Sequence, residues 1–474
     1  MANHIDHELI ENLPHLKPYY DDKRLFYKNV FWIILSNALY TFGFGATGSL
    51  LAMHMANAKL GASEISSIFA ITGWLAIPTI LYISNLTDHW QWKWGRRLPF
   101  IAIAVPMLVI TLICFPYAAT FITCMALYLP FSLAAQTRAS TYPLLNNDIA
   151  KKKYWGRITG VNDLLVGSIG GWLSIVILLP LVNSHSENTA FRASAFIIGI
   201  ATALLLMFIR EPPVRTDEKP IFNPVFVIWG TLKFGFSDIK NVPLFLAYAF
   251  CMNAGIPGTY IALQAKVNLH LTEGQVGTQI LQYGLITIAV MSFFMGWAID
   301  KLGTMKSLAI AYAGAVLAAA LGVNPTASAS LMSKWLGYQL SPTYALAGAY
   351  LIGITSYSLM ATAASIFVMG SVRREQFARF CACSGSVNLF TQSFVMLGIG
   401  YLVTHVFNGN YGFSFIASVV LGLAGIMMFL VVNRQRRRSV HRMDKQIQTL
   451  ENSSNEASIK RDDDGTIIKV VSET

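Results

Sequence analysis

Apolar runs recurring from Asn29 to Val432, broken only by short polar connections, restrict this chain to one class of fold. A helix needs ~20 residues to cross the hydrocarbon core of a bilayer, and many of these runs reach that length. With 54% of residues hydrophobic and only 12% charged, there is not enough polar surface for a water-soluble protein of this size. Lipid offers the backbone no hydrogen-bond partner, so a spanning chain is either helical or a closed barrel. The runs lack the two-residue alternation of barrel strands. The expectation is therefore an all-α, multi-pass membrane protein in the cell membrane, which is the inner membrane if the source is bacterial.

Twelve transmembrane helices can be marked, roughly 28 to 54, 65 to 87, 98 to 118, 121 to 145, 157 to 182 and 190 to 210 in a first set. The second set runs roughly 241 to 264, 275 to 299, 305 to 323, 343 to 370, 383 to 407 and 411 to 433. The implied organisation is an N-terminal segment 1–27, a six-helix bundle 28–210, a polar linker 211–240 opening with Glu211-Pro212-Pro213, a second bundle 241–433 and a tail 434–474. Proline cannot continue a helix, so that tripeptide stops the sixth. The polar stretch Met1 to Lys28 is no cleavable signal peptide, which makes the first helix the insertion signal. Cys114, Cys124, Cys251, Cys381 and Cys383 have no metal-site spacing and read as free thiols.

Lys and Arg concentrate in the even-numbered connections, at Lys93, Arg96, Arg97; Lys151 to Lys153, Arg157; Arg210 to Lys240; Lys301, Lys306; and Arg373, Arg374, Arg379. The odd-numbered connections carry only Lys59, Arg192, Lys266 and Lys334. By the positive-inside rule the even connections and both termini are cytoplasmic. The net charge of +11 is thus a topology signal, and no nucleic-acid partner is expected. Arg434 and Arg436 to Arg438 close the last helix as a cytoplasmic stop beside membrane lipid, ahead of a short amphipathic stretch and a disordered tail.

The two sets look duplicated. Asp88-His89-Trp90-Gln91-Trp92-Lys93-Trp94-Gly95-Arg96-Arg97-Leu98-Pro99-Phe100 follows the second helix, and Asp300-Lys301-Leu302-Gly303 follows the eighth. Leu60 to Glu64 and Leu269 to Glu273 likewise occupy matching connections. Inverted or repeated halves that rock about a midplane site are the architecture of alternating access.

These features resemble the major facilitator superfamily over about residues 25 to 435. Trp94 to Phe100, together with Arg138 ahead of Asp148, is similar to the glycoside-pentoside-hexuronide cation symporters and the sucrose-proton symporters. There are two departures: Leu98 stands where a third basic residue is often found, and the helix from Ile65 to Thr87 has no acid. The coupling ion stays open between proton and sodium. The resemblance implies that Asp88, Gly95, Arg96, Arg97, Asp300 and Lys301 act as a conformational latch. Arg96 and Arg97 would then oppose the dipole of the helix they precede, which calls for an anionic partner.

An ionisable group inside a bilayer costs ~2.5 to 3.5 kcal/mol, so it needs a partner or a use. Arg138 lies ~12 Å from the cytoplasmic end of helix four and Asp163 ~9 Å into helix five, close enough in depth to pair. A carboxylate alternating between arginine and proton would couple transport, so Arg138 and Asp163 are the coupling candidates. His54 ends helix one near the outer face, where it could titrate near neutral pH, although a lone interfacial histidine is more often just solvated. Mid-depth amides and hydroxyls suit a hydroxylated solute, and aromatic rings suit the apolar faces of sugars. The substrate candidates are Asn37, Tyr40, Thr41, Gln136, Asn162, Asn253, Tyr283, Tyr357, Asn388 and Gln392. Gly43, Gly45 and Gly48, matched by Gly255, Pro257 and Gly258, allow close packing or bending of helices one and seven.

The resulting expectation is a monomeric secondary transporter taking up a sugar or glycoside with a cation, and no enzyme. No cofactor is expected beyond the co-transported proton or sodium. No phosphate-binding loop of the Gly-x-x-x-x-Gly-Lys-Ser/Thr type is present to support direct ATP drive. The alternative is an efflux, lipid or other organic-solute transporter of the same fold.

Overall fold

The computed structural model describes residues 22–89, 95–149, 162, 165, 169–184, 186–211, 223–236, 241–371 and 377–457. Among these residues the regular structure is helical, and nine helices, from Lys23–Asn57 to Phe413–Gln435, are long and apolar enough to cross a membrane. The large side chains left exposed, such as Ile103, Phe196 and Val420, are those of a bundle whose outside meets lipid.

The first half begins with α1 (Lys23–Phe44) and α2 (Thr47–Asn57), one run interrupted at Gly45 and Ala46. It continues with α3 (Ala62–His89), α4 (Leu98–Cys114) and α5 (Phe121–Ile149). After a wide turn at Ser174–Leu178 come α6 (Leu179–Ser184) and α7 (Glu187–Phe208). α1 packs on α7, where Trp32 stacks on Phe208 at 4.0 Å, and α4 packs between α5 and α7.

The second half mirrors this order. α9 (Asn241–Asn253) and α10 (Pro257–Leu263) are again one run, interrupted at residues 254–256, and α11 (Glu273–Val276) leads through another wide turn into α12 (Gln282–Leu302). α13 (Thr304–Gly322), α14 (Pro325–Leu336), α15 (Pro342–Ser371), α16 (Phe377–His405) and α17 (Phe413–Ala457) complete it. The duplication reaches the backbone: Lys59 and His270, in matching connections, both have positive φ, and so do Gly95 and Gly303 in the two loop motifs.

Interrupting a helix inside lipid frees backbone groups that need new partners. Ser174 Oγ accepts from Ala46 N at 2.7 Å, and Ser418 Oγ donates to the Ala254 carbonyl. The matching breaks are thus held open by small hydroxyls from neighbouring helices.

The halves meet where α3 lies along α16 and α2 along α10. At one end of the bundle Ser63 N donates to Thr404 Oγ1 at 3.0 Å, Ser66 Oγ pairs with Tyr260 OH at 2.7 Å and Lys266 bridges Asn57 and Glu273. This end is closed, and among the described residues the cross-half hydrogen bonds gather there. The other end carries Arg97, Arg210, Lys301 and Lys306 and is called the basic end below.

Three stretches differ from the sequence expectation, the first being α14, which occupies the connection between the ninth and tenth expected helices. Within the linker, Pro224–Phe236 forms α8, a helix lying against both α3 and α16 with Val225, Phe226 and Trp229 exposed. Its few polar residues do not prevent a helix whose apolar side has lipid or protein to meet. α17 also continues past Arg438 to Ala457, because the charged residues there are good helix formers and no glycine or proline stops them.

Candidate functional site

α1 and α5 bring their mid-helix polar residues together. Asn37 donates from Nδ2 to Asn162 Oδ1 at 3.0 Å and accepts at Oδ1 from Arg138 Nη2 at 2.7 Å. The guanidinium lies on the Tyr40 ring, 3.2 Å from its centroid, with the Tyr142 ring at 4.6 Å. Both rings are buried, and Tyr142 is itself fixed by donating to the Ile33 carbonyl at 2.6 Å. Tyr142 was not among the sequence candidates, although its spacing of four from Arg138 places the two on one helix face.

A buried cation held by two π faces and one amide is compensated by quadrupole and dipole. Among the described residues no carboxylate touches Arg138. Asn37 takes one N–H of a group that carries five, so donors remain for a carboxylate or a solute. Asp163 lies outside the described residues; its neighbour Asn162 is part of the cluster.

The second half holds a smaller counterpart. Asn253, the last residue of α9, donates from Nδ2 to Ala249 O at 2.8 Å, to Asn388 Oδ1 at 3.0 Å and to Asn388 O at 3.3 Å. Tyr357 packs flat on Gly255, where an added Cβ would lie 2.6 Å from ring atoms, so the closeness of α15 to the break requires glycine. Thus each interrupted helix carries an amide with a partner from a neighbouring helix, Asn37 with Arg138 about two turns before the first break and Asn253 with Asn388 beside the second.

The remaining candidates are placed less tightly. Thr41 packs against Gly170, and Gln136 and Gln392 are half-buried without a hydrogen bond among the described residues. Tyr283 is exposed on α12. The indole N–H groups of Trp74, whose ring the sequence already offered for stacking on a sugar, and of Trp172 are buried with no acceptor in reach among the described residues. Nothing in the local pattern distinguishes Trp172 from a packing aromatic.

At the basic end, Gly95 has φ of 114° and faces the carboxylate of Glu211. That carboxylate accepts from Arg96 N, from Arg97 N at 3.1 Å and from Leu98 N at 2.9 Å. It therefore caps α4, whose N-cap residue Arg97 supplies no capping side chain. The anionic partner that the Arg96 and Arg97 placement demands is thus met at the backbone by a residue after the sixth span. The side chains of Asp88 and Asp300 lie outside the described residues, and Lys301 is exposed.

At the closed end, His54 is buried, in contrast to its solvated reading. Nδ1 lies 2.9 Å from Glu187 Oε1 and Nε2 lies 2.9 Å from the Ala118 carbonyl. The free cysteines Cys114, Cys124, Cys251 and Cys383 are scattered, and no metal-holding group occurs among the described residues.

A family model described as Major Facilitator Superfamily matches residues 33–379. Among solved structures, a point mutant of the nucleoside transporter NupG is similar with a TM-score of 0.66 at 14% identity, covering 84% of this chain and 99% of that one. A bacterial homologue of the human lysosomal transporter Spinster, in an inward-facing and occupied conformation, gives 0.63 at 13% identity, covering 87% of this chain and 98% of that one. A mutant of the peptide transporter POT gives 0.62 at 14% identity over 86% and 95%. No curated protein matches the chain.

Proposed function

This chain belongs to the Major Facilitator Superfamily, and from that premise we propose that it is a secondary transporter taking up a neutral, hydroxyl-rich solute, a sugar or glycoside, together with a proton. Twelve spans are read by adding to the nine apolar helices the fourth, fifth and eighth expected from the sequence, roughly 121 to 145, 157 to 182 and 275 to 299. The basic end faces the cytoplasm, as do both termini. The closed end then faces outward, and the protein stands shut to the outside.

The observation that carries this reading is an amide cluster on each interrupted helix, Asn37–Arg138–Asn162 in one half and Asn253–Asn388 in the other. Broken helices with polar groups near the midplane are where secondary transporters hold solute and ion. Amides and indole N–H groups suit hydroxyls, and the Tyr40 and Tyr357 rings offer apolar faces. Asp163, next to Asn162, is the carboxylate that would exchange Arg138 for a proton, since the guanidinium favours its ionised form and desolvation its neutral one.

Uptake into proteoliposomes tests this, using a panel of mono- and disaccharides and nucleosides under an imposed proton or sodium gradient. A sugar should accumulate with the proton gradient, and Asp163→Asn should abolish accumulation while leaving exchange. If no sugar accumulates and none protects against heating, the sugar reading fails. Nucleosides belong in the panel because they join a hydroxylated ring to an aromatic base and because NupG shares the fold.

A further inference from the structure

His54 projects from α2 toward the interior of its own half, on the flank next to the one that meets the other half. Its ring is enclosed edge-on by Phe115 at 5.4 Å and Phe191 at 6.0 Å, and its two nitrogens face Glu187 Oε1 and the Ala118 carbonyl. A carbonyl has no proton to give, so Nε2 carries one. The contact of Nδ1 with Glu187 then requires a second proton, on the imidazole or on the carboxyl. Either way the pair holds one proton more than a neutral histidine beside a carboxylate.

The adjacent flank of α2 carries the closure. Lys266 Nζ donates to the Met53 carbonyl at 3.5 Å and to Asn57 Oδ1, and Asn57 Nδ2 donates to Glu273 Oε1 at 3.4 Å. Met53 and Asn57 are four residues apart, one turn of the helix, and His54 fixes the rotation that presents them.

The charged and titratable groups around the pair are Glu187 on α7, Cys124 on α5, whose thiol also reaches the Ala118 carbonyl at 3.8 Å, and Lys266 across the interface with Glu273 beside it. Arg192 on α7 turns instead to Tyr117 OH at 2.9 Å.

We infer that His54 and Glu187 form a proton-binding site separate from the Arg138 cluster, and that the proton bound there holds the closed end shut. Loss of the proton leaves either a lone pair of the ring against a carboxylate or one against a carbonyl. α2 loses its anchor, and the Met53 and Asn57 contacts with Lys266 loosen. The inference rests on the alternating-access reading, but its site and its measurement are independent of the solute.

The experiment places spin labels at Ile122 and Thr326, exposed positions near the closed end in opposite halves, and measures their separation in lipid nanodiscs between about pH 5.5 and about pH 8.5, the range in which histidine titrates. The short separation should dominate in acid, and a longer one should grow as pH rises. His54→Gln should remove the dependence, and Glu187→Gln should move it to lower pH by about one unit. A separation insensitive to pH in the native protein, or an unaltered response in His54→Gln, overturns the inference.

A second measurement stands apart from the variants' folding: nitrogen NMR of the histidine-labelled native protein at about pH 6. It should show a buried imidazole whose proton is shared with a carboxyl and whose exchange is slow. If every ring is instead a fast-exchanging solvated tautomer, the proposal is overturned.

Discussion

Arg138 lies flat against Tyr40, its guanidinium carbon 3.2 Å from the ring centroid, while Nη2 donates to Asn37 at 2.7 Å. The three side chains fix one another from two helices. An ammonium cannot reproduce both the stacking and the directed donor. Arg138→Lys should therefore keep its charge and fold but lose about 10- to 100-fold in transport rate, the equivalent of about 1.5 to 3 kcal/mol for a desolvated stacked cation and its hydrogen bond. Uptake kinetics and thermal unfolding of the purified variant check this; unchanged uptake would remove Arg138 from the site.

Glu211 caps α4 through the backbone N–H groups of Arg96, Arg97 and Leu98. Replacing its carboxylate with an amide weakens a charge-assisted cap at a helix N-terminus, a loss of about 1 to 2 kcal/mol. Glu211→Gln should lower the melting temperature by about 2 to 4 °C. Gly95→Ala should do worse, since φ of 114° strains any β-carbon and the carboxylate occupies its place. Scanning fluorimetry in detergent decides the order.

Burial pushes the Glu273 carboxyl upward, and hydrogen bonds from Lys266 and Asn57 outweigh it, so the group is held below its ordinary value of 4.5. A depressed carboxyl contributes stability that is present above the ordinary value and is lost as pH falls through the lowered one. The closed end should therefore open in strong acid. Because the His54 proton is needed from the other side, closure should be bell-shaped in pH, and Glu273→Gln should remove only the acid limb. The label pair at Ile122 and Thr326 reads both limbs.

Gly255→Ala would push a methyl group into the Tyr357 ring, at 2.6 Å in the present backbone. Overpacking of this kind costs about 1 to 3 kcal/mol. The variant should be less stable, and Tyr357→Leu in the same chain should restore most of the loss. If stability does not recover, the conflict is with the backbone at the break instead of the ring.

The nine apolar helices found among the described residues were legible because apolar run length is a local quantity, and so were the candidate bending points at Gly45 and Gly255, since glycine and proline punctuate the pattern. Even the duplication could be read from Asp88 to Arg97 against Asp300 to Gly303. What the sequence hides is which helix face meets which. His54 and Glu187 are 133 residues apart and Glu211 is 114 from Arg97, and no periodicity within either segment points to the other. Tyr142 is the intermediate case, since its spacing from Arg138 was readable and only its role as a second ring was not.

The final helix has a mechanical consequence. Forty-five residues of continuous α-helix extend about 68 Å, whereas a bilayer with its headgroups is ~40 to 45 Å thick. About 20 Å or more of stiff rod must project beyond the membrane, joined without a hinge to a helix of the second half. Any rotation of that half is swept out at a larger radius at the rod's tip, so a fluorophore fixed there would magnify the rocking of the bundle into a displacement that optical methods can follow.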